Sequence, residues 1–119
     1  MTVSRGIPLS LHGALETIAG PAIMAAPFFL SLGEAASVVA FVFGAILLGL
    51  SLQVAGPTRA VPISAHAGLD YLLSISVIVA AVAIGIATGE WSGPGFLAGV
   101  GAAHVMLTAS TRWSVPLGA

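Results

Sequence analysis

Residues 5–16 read Arg5-Gly6-Ile7-Pro8-Leu9-Ser10-Leu11-His12-Gly13-Ala14-Leu15-Glu16, and residues 59–70 read Arg59-Ala60-Val61-Pro62-Ile63-Ser64-Ala65-His66-Ala67-Gly68-Leu69-Asp70. Arg, Pro, Ser, His and Leu recur at a constant offset of 54 positions (His12 to His66), without a gap, and an acid closes both stretches. Polar residues are so scarce in this chain that such agreement points to an internal duplication. A repeat fixes architecture before any other signal. The predicted units are residues 1–57 and residues 58–119, the second ending in a short C-terminal tail.

Composition names the solvent. The chain has 119 residues, of which 58% are hydrophobic and 6% charged, with a mean hydropathy of +1.12. A soluble domain covers its surface with roughly a quarter charged residues, so the expected partner is a lipid bilayer. The absence of cysteine excludes disulfides, thiolate metal sites and cysteine nucleophiles. With no lysine and three arginines the chain cannot track a phosphate backbone, so nucleic acid is not an expected partner. The first apolar stretch carries Glu16, Pro21 and Pro27 and exceeds the length of a signal h-region, which argues against a cleaved signal peptide.

A membrane helix needs about 20 apolar residues, and four stretches meet that length: roughly 11–32, 35–55, 65–87 and 94–110. The connections are short, so sequential neighbours are expected to pack as antiparallel hairpins. The fold class expected is therefore an all-α membrane protein, with four transmembrane helices forming two tandem hairpins. Arg5, Arg59 and Arg112 then fall on one side, opposite the loops that hold Glu34 and Glu90. The positive-inside rule places both termini and the central loop in the cytoplasm. Arg5, Arg59, Arg112, Trp91 and Trp113 are expected as interface anchors.

Each unit opens with an X-Pro step, which favours extended backbone before the helix. Ser10 and Ser64 are expected to cap the first turn, and Pro21 to kink the first helix. Small residues recur every fourth position as Ala36, Ala40 and Gly44 in the second span and Gly95, Gly99 and Ala103 in the fourth. Ridges of this kind let membrane helices approach closely. They make self-association, or association with other membrane proteins, the expected mode of partnership.

Ionisable groups within spans are costly and suggest function. The candidate polar cluster is His12, Glu16, His66, Asp70 and His104. His12 and Glu16, like His66 and Asp70, are four residues apart and share a helix face. His104 lies eight residues before Arg112, at about the same depth as the acids, roughly 12 Å from the cytoplasmic end. If the two units pack about a twofold along the membrane normal, as parallel repeats do, the two faces meet around a cytoplasm-facing cavity. Three readings follow. Each His pairs with its own acid near a hydrated interface; or the cluster relays protons or binds a cation in a small carrier or channel subunit; or two His and two carboxylates hold a divalent metal. No nucleophile elbow or phosphate loop is present, so no enzymatic activity and no cofactor are expected. A non-enzymatic accessory or scaffolding module leads, with the ion-coupled carrier as the alternative.

The stretches Pro8 to Glu16 and Pro62 to Asp70 resemble the SPW-repeat family of small bacterial membrane proteins, whose two-helix repeat opens with Pro-x-x-x-His-x-x-x-Asp. At the position of the family's Ser-Pro-Trp this chain has Ala26-Pro27-Phe28 in the first unit and Ala81-Val82-Ala83 in the second. The tail from Thr111 to Leu117 is similar to the start of a third unit. The resemblance implies a membrane protein of paired helices and carries no activity with it.

Overall fold

The computed structural model describes residues 5–55 and 61–113. Four helices account for most of them: α1 Leu9–Phe29, α2 Glu34–Ala55, α3 Ile63–Thr88 and α4 Ser92–Ala109. Two short strands, β1 Ile7–Pro8 and β2 Thr111–Arg112, pair in parallel at one end of the bundle. Helix ends fall within about two residues of the spans expected from hydropathy, except at the end of α1, which stops at Phe29. The expected boundary between units at residues 57 and 58, and Arg59 with it, lies outside the described residues.

The helices pack mainly as two hairpins, α1 with α2 and α3 with α4. Gly33 and Gly89 make the two turns, at φ 83° and 72°, backbone that a side chain rarely adopts. α1 runs through Pro21 and Pro27. The buried stripe of α1 includes His12, Glu16, Gly20 and Ile23, and that of α3 includes His66, Asp70, Ser74 and Val77. These are positions 54 apart, so the two helices turn the same face inward.

Helix entry differs from expectation. Pro8 and Pro62 are themselves the cap residues, extended at ψ 153° and 150°, and neither helix has a side-chain cap bond. Ser10 and Ser64 lie one residue inside the first turn and are exposed. The cause is the proline: it presets φ and its carbonyl takes the first helical bond, as in His66 N–H to Pro62 O at 2.9 Å. The helix therefore starts before the serine is reached.

The α2 ridge is spent inside the bundle. Ala36 and Ala40 are buried, and a Cβ on Gly44 would stand 2.5 Å from the Gly20 carbonyl and 2.9 Å from Met24 N. The α4 ridge points away: Gly95, Gly99 and Ala103 are exposed, and nothing lies within 4 Å of a Cβ built on Gly95 or Gly99. α4 packs instead through Gly93, Leu97, Gly101, His104 and Thr108. Gly93 lies so close to the Leu32 carbonyl that no Cβ fits.

The core beyond the first turns is apolar, with Ala36, Ala40, Phe43, Leu47, Val77, Ala81 and Leu97 at its centre. Much of the outer surface is apolar as well, including Ile18, Phe28, Phe29, Val79 and Ile86. Two helices, α2 and α3, are long and apolar enough to cross a membrane, with mean hydropathies of 2.4 and 2.3. Of the most apolar stretch of each, 39% and 22% is buried inside the bundle, less than in a mostly buried core helix.

Candidate functional site

All five candidate residues meet at the end of the bundle that carries Arg5 and Arg112. His12 and Glu16 come from α1, His66 and Asp70 from α3, and His104 from α4. Their exposures are 0, 1, 2, 0 and 6%. Burial of this degree departs from the reading that set each His and its acid near a hydrated interface. Where the two His/acid faces meet, their side chains touch directly rather than lining a cavity. β1 and β2, joined also by Ile7 N–H to Ser110 O at 3.0 Å, close that end. The indole of Trp113 lies against His12 and His66, with ring centroids 4.7 and 5.4 Å apart.

The pairing runs between hairpins as well as within them. Within α1, His12 Nε2 is 3.0 Å from Glu16 Oε1, and within α3, His66 Nε2 is 3.3 Å from Asp70 Oδ2. Across the interface, His12 Nε2 is 2.9 Å from Asp70 Oδ2 and His66 Nε2 is 3.1 Å from Glu16 Oε1. His104 Nε2 adds a contact of 2.9 Å to Glu16 Oε2 and lies 3.8 Å from Asp70 Oδ1. The same nitrogen of each imidazole thus points at the two carboxylates. One ligand atom from each of His12, Glu16, His66 and Asp70 lies within 4.8 Å of the others, the compactness a metal ion requires.

Two hydroxyls fix the orientation of two of these rings. Ser74 Oγ–H donates to the Asp70 carbonyl at 2.7 Å, and Thr111 Oγ1–H donates to the Leu107 carbonyl at 2.6 Å. A hydroxyl has one proton, so each oxygen meets its imidazole as an acceptor. His104 Nδ1–H therefore donates to Ser74 Oγ at 2.6 Å, and His12 Nδ1–H to Thr111 Oγ1 at 2.8 Å. Both rings carry their proton on the outer nitrogen, leaving Nε2 for the centre.

Among the described residues one buried side-chain polar atom has no hydrogen-bond partner, Asp70 Oδ1. On the flank between α1 and α4, a groove of about 370 Å³ lined by Leu15, Ile18, Ala103 and Leu107 ends on Glu16 and His104.

Of the expected anchors, Arg5, Arg112 and Trp91 are exposed. Trp113 is half-buried over the centre and donates Nε1–H to the Thr108 carbonyl at 3.0 Å. Ser74, Thr111 and this use of Trp113 were not anticipated. A helical period would have found Ser74, four residues after Asp70 on the buried face; Thr111 lies beyond α4, in β2, where no helical period reaches. Comparison with protein-family models, curated proteins and solved structures returns no match.

Proposed function

We propose that this chain is a four-span integral membrane protein, two tandem hairpins with the arginines and both termini on the cytoplasmic side of a bacterial plasma membrane. Its working part, on this reading, is a cation-binding centre of His12, Glu16, His66, Asp70 and His104. The helices support the topology: α1 and α4, at 21 and 18 residues, are about 31 and 27 Å long at helical rise, close to the hydrocarbon thickness. The observation that carries the function is the burial of two carboxylates with three imidazoles converging on them. An uncompensated buried ion costs several kcal/mol. Among the described residues the arginines, Arg5 and Arg112, are exposed, which favours a cation bound at the imidazoles, either protons or a metal ion, as the compensating charge. The apolar core beyond the centre argues for binding from the arginine end rather than conduction through the bundle.

Trp113, in contact with two of the imidazoles, is a built-in reporter. In a Trp91→Phe protein it is the sole tryptophan. Its emission is expected to follow pH or added divalent ion, and the response is expected to vanish in Glu16→Gln with Asp70→Asn. An emission indifferent to both, in folded protein, would end this reading.

A second reading, association with a copy of itself or another membrane protein, is favoured by the outward row of Gly95, Gly99 and Ala103, whose glycines meet nothing within 4 Å. It is compatible with the first, because the row lies on a different face of α4 from His104.

A further inference from the structure

Charge and proton bookkeeping distinguish the two kinds of cation. Protons on His12 and His104, with His66 donating Nε2–H to Glu16, balance the two carboxylates. That arrangement leaves Asp70 Oδ1 buried without a donor, because His104 Nε2 is 3.8 Å away and turned to Glu16 Oε2 at 2.9 Å. A divalent ion balances the same two carboxylates, takes Nε2 of His12 and His66 as neutral donors, and accepts Asp70 through either oxygen. It also explains why Thr111 holds the Nδ1 proton of His12, since metal-bound imidazoles almost always donate the other N–H to an outer acceptor.

The spacing agrees. Bonds of about 2.1 Å from a metal to N or O place neighbouring donors at right angles about 3 Å apart. The four nitrogen–oxygen separations among His12 Nε2, His66 Nε2, Glu16 Oε1 and Asp70 Oδ2 lie between 2.9 and 3.3 Å. We propose that His12 and His66 through Nε2, with Glu16 and Asp70 through their carboxylates, ligate one divalent first-row transition ion, while His104 holds the second oxygen of Glu16 from outside that compact set. The proposal rests on the cation-centre reading and names its cation. Imidazole and carboxylate without thiolate select an ion of intermediate to hard character.

The test uses the full chain purified in mild detergent without chelator. Elemental analysis is expected to find about one equivalent of a first-row metal. Co²⁺ added to stripped protein is expected to give ligand-field absorption and to quench Trp113 in the Trp91→Phe background. Thr111→Ala, which keeps all four ligands and removes the acceptor of His12 Nδ1–H, is expected to weaken Co²⁺ binding about 10- to 100-fold. His66→Ala is expected to weaken it further, while Glu90→Gln leaves it unchanged. Absence of metal together with absence of any Co²⁺ signal in protein of native helicity would overturn the assignment, as would Co²⁺ binding indifferent to both Thr111→Ala and His66→Ala. If Trp113 still follows pH in that case, and Glu16→Gln with Asp70→Asn silences it, the centre binds protons and only the metal is lost. If Trp113 is silent to pH and metal alike, the cation centre itself falls.

Discussion

The chain has four acids, and its two ends treat them oppositely. Glu34 and Glu90 are exposed beside an open cleft of about 640 Å³ that also involves Leu32, Thr88 and Pro94. Glu34 sits in the first turn of α2, where the helix dipole and water favour a negative charge. Glu16 and Asp70 lie two turns into their helices on the stripe that faces the other hairpin, and there they are wrapped by imidazoles and excluded from water. Residue type is the same at both ends. Position on the helix decides whether a carboxylate is a solvated surface group or the hub of a buried site.

The largest effect should come from breaking that contrast at its hub. Asp70→Ala or Glu16→Ala leaves imidazoles and a carboxylate without their partner and is expected to cost about 3–5 kcal/mol. Glu34→Ala and Glu90→Ala, being surface changes, are expected to stay within about 0.5 kcal/mol. Unfolding in detergent, followed by circular dichroism, separates the two pairs. Equal losses at both ends would erase the distinction.

A smaller contrast divides the two rows of small residues. Gly44→Leu must displace the Gly20 carbonyl and Met24 and is expected to cost about 1–3 kcal/mol, the usual penalty for overpacking. Gly99→Leu meets open space in the chain and is expected to leave unfolding within about 0.5 kcal/mol. What it should change is the oligomeric state in detergent, read by light scattering. A bare monomer before and after would remove the association reading and leave the centre untouched.

How much of this was legible follows from which residues carry a periodic signal. The four helices were readable because long apolar runs interrupted by Gly33-Glu34 and by Thr88 to Gly93 admit few other elements. The five ionisable residues of the centre were readable because such groups are conspicuous in an apolar chain. Their access to water was not readable, because the distance from a helix end says nothing about what folds over that end. The cover comes from Ile7–Pro8 and Thr111–Arg112 pairing across more than a hundred residues of sequence, a contact with no local signature. The cap serines failed for a local reason: proline can serve as the cap residue itself, and the reading gave that role to the nearest hydroxyl. In α4 two faces offered small residues four apart, and sequence alone could not say that Gly93, Leu97 and Gly101 pack while Gly95 and Gly99 face outward.

All three histidines of the chain are in the centre, so a spectrum of protein labelled with ¹⁵N only at histidine reports on nothing else. The account predicts that the Nδ1 nitrogens of His12 and His104 are protonated and exchange slowly with solvent, while the Nε2 resonances move when a cation is added or removed. Rings of His12 and His104 with bare Nδ1 and Nε2–H, or imidazoles exchanging freely with water, would contradict it.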